Sequence, residues 1–143
     1  MTDLTTHPVH DAYRTWFAAL EAGDVNAATA VLTSDVVMEH PGGIVHAGRM
    51  QVADALAPFL REYVERVRWE LTVVGMRRDE VAVRVREETT IRARVGGPSM
   101  KAAGWHTARV RLESDGMWRI AHDISTIDGV PVTLDEHEFD LPD

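Results

Sequence analysis

Four side chains of this sequence stand where proton chemistry could be done: His40, Glu87, His106 and His122, with Asp123 beside the last. Each falls in an alternating stretch whose period of two sorts residues onto opposite faces of a strand. In Val36-Val37-Met38-Glu39-His40-Pro41-Gly42-Gly43, the face carrying Val36 and Met38 also carries His40, just before a Pro-Gly-Gly turn. An imidazole at the rim of an apolar face is open to a shifted pKa and can move protons near neutral pH. His106 shares its face with Ala108, Val110 and Leu112, while Trp105, Thr107, Arg109 and Arg111 face the other way. Glu87 lies on the face of Val81, Val83 and Val85, where an unpaired carboxyl would have a raised pKa. It could hold a histidine in one tautomer or act as a proton donor. The last strand leaves its orientation open. Hydrophobicity turns Trp118, Ile120, His122 and Ile124 inward, so that His122 lines an interior. The other face carries Asp123, and a bulge would bring residues of both faces inward. Each residue also has a plain structural role, as a satisfied core or rim histidine or as a strand-end carboxylate.

The elements that must position these groups follow from the remaining pattern. Val9, Ala12, Tyr13, Trp16, Phe17 and Leu20 form the apolar stripe of an amphipathic helix, with Pro8 suited to its first turn and Gly23 to its end. Asp24 can cap a second short helix over 24–32. A strand over 36–40 and a short extended piece over 44–46 follow. A third helix runs from 50 to about 64 with Val52, Leu56, Phe59, Leu60 and Tyr63 on one face; Pro58 should kink or split it near Ala57. The rest is strand: 67–76, with Val67, Trp69, Leu71 and Val73 on one face, then 79–94, 100–113 and 117–127. Gly96-Gly97-Pro98-Ser99 and Ser114-Asp115-Gly116 supply turns. Helices first and a meander of long strands after them predict an α+β fold, with three helices on one face of a curved antiparallel sheet. Arg84, Arg86, Arg109 and Arg111 belong on the outer face, paired with Glu70, Glu88 and Glu113. The acidic tail, 129–143, drapes over a sheet edge or stays loose.

Composition narrows the function. At 143 residues and 45% hydrophobic, the chain reads as one domain over 1–143 with a core over about 9–128. A net charge of −8 argues against a nucleic-acid partner, which needs a basic face. With no cysteine there is no disulfide, thiolate metal site or Cys nucleophile. No apolar run approaches the ~20 residues of a membrane span, and residues 1–6 lack the basic and apolar regions of a signal peptide. The expectation is a soluble cytoplasmic protein without a membrane partner. His40, His106, His122 and Glu87 are suitable ligand types for zinc or iron. No compact motif such as His-x-x-x-His gathers them, so no metal is expected.

Three stretches together carry a resemblance: Ala18-Ala19-Leu20-Glu21-Ala22-Gly23-Asp24; Val37-Met38-Glu39-His40-Pro41-Gly42-Gly43 with His46-Ala47-Gly48-Arg49; and Asp115-Gly116-Met117-Trp118-Arg119-Ile120-Ala121-His122-Asp123. In this order the chain resembles the nuclear transport factor 2-like superfamily, and within it the SnoaL-like and ketosteroid-isomerase-like proteins. The resemblance implies a cone: helices closing one side of a bent sheet, an apolar pocket between them, and a homodimer packed through the outer sheet face. The fold hosts isomerases, cyclases, dehydratases, epoxide hydrolases and non-enzymatic binders, so it does not set the reaction. Where the isomerases place an aspartate before proline as the base, this chain has His40 before Pro41. That departs from steroid isomerisation and keeps proton transfer, since imidazole is the commonest general base. The expected function is a cofactor-independent acid–base enzyme for a small apolar oxygenated molecule, polyketide-like or steroid-like. His40, His106, Asp123 and Glu87 are its candidate catalytic groups. Tyr13, Trp16, Met38, Phe59, Tyr63, Trp69 and His122 are the candidate walls of its pocket. The alternative is a binding module that uses the same pocket without turnover.

Overall fold

The computed structural model describes residues 7–129, in the order α1 (Val9–Ala22), α2 (Val25–Ala30), β1 (Leu32–His40), β2 (Ile44–Ala47), α3 (Arg49–Glu62), β3 (Tyr63–Met76), β4 (Glu80–Ala93), β5 (Met100–Leu112) and β6 (Trp118–Ile127). The acidic tail from 130 onward lies outside the described residues. α1 ends as its sequence predicts. Gly23 takes φ 71°, a left-handed conformation that suits a residue without Cβ, and the Gly23 and Asp24 N–H groups return to the Leu20 and Ala19 carbonyls. Asp24 then caps α2 by accepting from the Ala27 N–H at 3.0 Å.

One six-stranded sheet follows, in spatial order β2-β1-β6-β5-β4-β3. Its ladders are antiparallel except β1 with β6, which runs parallel, so the sheet is mixed at the one pair not joined by a hairpin. The apolar stripe of α1 lies on the inner face against Val81, Val83, Val85, Val110 and Ile120, all 0% exposed. Full burial of an aliphatic side chain of this size stabilises by about 1.5–3 kcal/mol relative to exposure. This packing fixes α1 over the middle of the sheet.

Two boundaries differ from the sequence reading. α2 stops at Ala30 and β1 begins at Leu32, with Leu32 and Thr33 fully buried. The polar run Thr33-Ser34-Asp35 interrupts the apolar alternation, because the pairing with β6 jumps there from Leu32–Ile120 to Val37–His122. α3 stops at Glu62, and Tyr63 is already extended at φ −127°, ψ 152°. Pro58 sits inside α3 without splitting it. The outer-face arginines find other partners than expected. Arg86 bridges Asp128 at 2.6 Å, Arg111 bridges Asp35 at 2.7 Å, Glu113 receives Arg119, and Arg84 lies over the Trp105 ring at 4.3 Å. Asp128 and Glu113 lie just past strand ends, and Asp35 lies in the stretch of β1 that the pairing with β6 skips.

Candidate active site

The inner face carries a line of polar groups across three strands. In β4–β5 pairing Val85 stands opposite His106 and Glu87 opposite Gly104; in β5–β6 pairing Ala108 stands opposite Asp123. Glu87, His106 and Asp123 are thus diagonal neighbours, and long side chains on diagonal positions of one face can touch. They do. His106 Nδ1 meets Asp123 Oδ1 at 2.8 Å, and His106 Nε2 meets Glu87 Oε1. Thr89 donates its hydroxyl to Glu87 Oε2, and from α1 Tyr13 donates to Asp123 Oδ2 at 2.6 Å. The chain Tyr13–Asp123–His106–Glu87–Thr89 runs continuously beneath α1. Its Asp123 end is 2% exposed as a residue, while the Glu87 side chain is 23% exposed.

Gly104 makes room for this line. A Cβ added there would stand 1.9 Å from the Thr126 carbonyl oxygen, far inside any tolerated contact. The glycine therefore lets β6 approach β5 closely beside His106.

The electrostatics follow from burial set against charge. Burial alone pushes the His106 imidazole down, but Asp123 and Glu87 outweigh it and lift the pKa to about 10. Burial pushes the Asp123 and Glu87 carboxyls up, and His106 more than reverses this, so both lie below their ordinary values. The Tyr13 phenol is raised, first by burial and then by Asp123, and stays a donor. At neutral pH the line holds one imidazolium between two carboxylates.

A cleft of about 270 Å³ opens over this line. Trp16, Phe17 and Leu20 of α1 form one wall, Glu87 and His106 the floor, and His40 with Pro41 the rim at β1. His40 Nε2 lies 3.1 Å from His46 Nδ1 of β2, again a diagonal pair, since His46 stands opposite Met38. Burial first, and then the neighbouring His46, lowers the His40 pKa. A larger hollow of about 580 Å³ lies among Arg66, Arg68, Glu88 and Lys101, but no imidazole borders it.

Three of the four candidate catalytic residues, Glu87, His106 and His40, line this cleft, and Asp123 is buried behind it, bonded to His106. His122 does not line it. Ala121 is an extra residue between Ile120, opposite Val110, and His122, opposite Arg109. This bulge reverses the parity of β6, so Ile120 faces in before it and Asp123 after it, while His122 turns to the other face and meets Glu39 at 2.7 Å. Of the other expected walls, Trp16 lines the cleft and Tyr13 acts behind it through Asp123. Met38 is buried in the core, Phe59 stacks on Tyr63 at 5.0 Å, and Trp69 packs behind Phe17 at 5.4 Å; none of these three sets borders the cleft. The sequence reading missed Glu65, a cleft residue only 7% exposed. Its signal was the alternation Glu65, Val67, Trp69, hidden by a helix carried two residues too far. Among the described residues no three His, Cys, Asp or Glu side chains group as a metal would require. No helix among them is long and apolar enough to cross a membrane.

Comparisons with known proteins bear on the fold. A family model for the SnoaL-like domain matches residues 13–121. No curated protein sequence matches. A ketosteroid isomerase-like protein from Erwinia carotovora atroseptica SCRI1043 superposes with a TM-score of 0.75 at 22% identity, over 85% of this chain and 94% of that one. ActVI-ORFA from Streptomyces coelicolor gives 0.75 at 13% identity, over 90% and 100%. A provisionally assigned scytalone dehydratase from Novosphingobium aromaticivorans DSM 12444 gives 0.77 at 12% identity, over 92% and 89%. At these identities the solved structures establish a shared fold and nothing finer.

Proposed function

This chain belongs to the SnoaL-like family of the nuclear transport factor 2-like superfamily, and from that premise we propose that its cleft is a cofactor-independent acid–base site. The substrate is a small, largely apolar, oxygenated molecule, and the reaction an isomerisation, cyclisation, dehydration or hydration. One observation carries the reading: the bonded line Tyr13–Asp123–His106–Glu87 ends in a cleft whose rim holds a second, differently poised histidine.

In this reading the two histidines divide the work. His40, with its pKa lowered, is neutral near pH 7. In the tautomer that donates from Nε2 to His46, its Nδ1 lone pair is free to take a proton from substrate carbon. His106 is the charged partner. Its Nε2 proton, shared with Glu87, is available to a developing oxyanion or to a leaving hydroxyl. Asp123 holds the ring through Nδ1, and Tyr13 fixes Asp123 in turn. Trp16, Phe17 and Leu20 supply the apolar wall. The working unit is a homodimer joined across the outer sheet face, for which sedimentation velocity gives a direct mass.

One observation favours binding without turnover: both ring nitrogens of His106 are already bonded to carboxylates. A panel of aromatic polyketide-like ketones, lactones and steroid-like enones separates the readings. Catalysis predicts that His106→Gln and His40→Gln each lose roughly 10²–10⁴ in turnover with the fold intact by circular dichroism. A compound that co-purifies unchanged, together with unaltered rates in both variants, supports the binding module.

A further inference from the structure

Glu65 is the buried titratable group that the proton chemistry leaves unused. It sits on the inner face of β3, in line with Val67 and Trp69, and opens on the cleft. It is 7% exposed, yet it makes no hydrogen bond or ion pair with any described residue. Its carboxyl oxygens are not sealed from solvent but open on the cleft, where an incoming ligand can reach them.

The surroundings say what kind of partner fits. Glu21 of α1 and Glu87 of β4 face Glu65, and burial followed by these two carboxylates raises its pKa to about 7. Beyond Glu87 stand His106 of β5 and Asp123 of β6, and across the cleft His40 of β1, whose lowered pKa leaves it uncharged. His106 supplies one positive charge against the two carboxylates it bridges, and no lysine or arginine is among the described residues that line the cleft. Glu21 is held by the Val67 N–H at 2.7 Å, a neutral donor that leaves its charge in place. This end of the cleft is therefore net negative. A neutral hydrogen-bond acceptor could satisfy the Glu65 hydroxyl but would not relieve the repulsion among Glu65, Glu87 and Glu21. A cation does both. Trp16 and Phe17 line the same cleft and are aromatic side chains of the sort that attract ammonium groups.

We propose that Glu65 anchors a basic amine on the ligand of this cleft, holding the ammonium group between its carboxylate and the aromatic wall of α1. The inference rests on the reading of this cleft as the ligand site and names the ligand class within it. An amine entering as ammonium meets Glu65 as carboxylate. Below about pH 7 its binding releases the Glu65 proton to solvent, and above that it does not.

The test uses phenethylamine and its neutral isostere phenethyl alcohol, titrated into the folded protein and followed by NMR at the Trp16 indole and the His106 ring. The amine is expected to bind roughly tenfold more tightly than the alcohol near pH 8, and to lose that advantage as the pH falls below about 7. Glu65→Gln should bring the two compounds within about threefold, and Glu65→Asp should restore part of the preference. Equal affinity for both compounds, or a preference that survives in Glu65→Gln, overturns the amine anchor while leaving the cleft as a ligand site. If neither compound perturbs Trp16 or His106 at any pH, the amine anchor fails, and the cleft reading itself is weakened.

Discussion

The cleft holds two histidines, and the β4–β5–β6 floor and the β1–β2 rim treat them in opposite ways. His106 lies between Asp123 and Glu87 and is lifted to about 10; His40 lies beside another imidazole and is lowered. Burial disfavours the charged ring at both, and at the half-buried His40 it is the leading cause of the lowering, followed by His46. At His106 the neighbours reverse it, because a carboxylate favours the protonated ring whereas a second imidazole disfavours it. The register sets those neighbours. On the floor, diagonal positions of three strands are Glu, His and Asp; at the rim, diagonal positions of two strands are His and His. One residue type thereby carries opposite pKa shifts within one cleft.

Breaking the floor should have the largest effect. Asp123→Asn removes a fully desolvated charge from a bonded pair, and such losses cost about 3–5 kcal/mol. Urea denaturation should show that loss, and the His106 midpoint should fall from about 10 toward its ordinary 6.5. Next comes Gly104→Ala. The added methyl would collide with the Thr126 carbonyl, so β5 and β6 must separate beside His106. Overpacking of this kind costs roughly 1–3 kcal/mol. The His106 and Asp123 resonances should move together with the drop in melting temperature.

The floor also predicts how stability depends on pH. The folded His106 pKa lies above its unfolded value of 6.5, so the stability it contributes is fully present below about 6.5 and is lost as pH rises through about 10. Asp123 and Glu87 have folded pKa values below 3.8 and 4.5, so their contribution is present above those values and is lost as pH falls through the folded ones. These are two ends of a single interaction. Denaturation profiles should therefore show a plateau with an alkaline shoulder that disappears in His106→Gln. The smallest effect belongs to the rim. His46→Gln removes the like neighbour of His40, so the His40 midpoint should rise while stability stays within about 0.5 kcal/mol. A large stability change there would mean that the His40–His46 contact holds the rim together rather than tuning His40.

Much of this was legible in the chain, in proportion to how local the cause was. Val81, Val83, Val85 and Glu87 sit in one uninterrupted alternation, so Glu87 was placed inward from sequence, and His106 with Ala108 and Val110 likewise. The aromatic stripe of α1, with Pro8 and Gly23 at its ends, was equally plain. The face of β6 was not, because hydrophobicity rightly turned Trp118 and Ile120 inward but the bulge at Ala121 reverses the pattern after them. A bulge is a property of the pairing with β5, and no residue of β6 announces it. Glu65 escaped because the helix-to-strand change falls at Tyr63, within one apolar face that suits either element. The bonding of Tyr13 to Asp123 joins residues 110 positions apart and depends on how α1 lies on the sheet, which no local pattern encodes.

The most direct test of the division between floor and rim is a nitrogen-detected NMR titration of the histidine rings from about pH 5 to about pH 10.5. His106 should remain doubly protonated until close to pH 10, while His40 should already have lost its proton below about 6.5. Two rings that both titrate near 6.5 would contradict it.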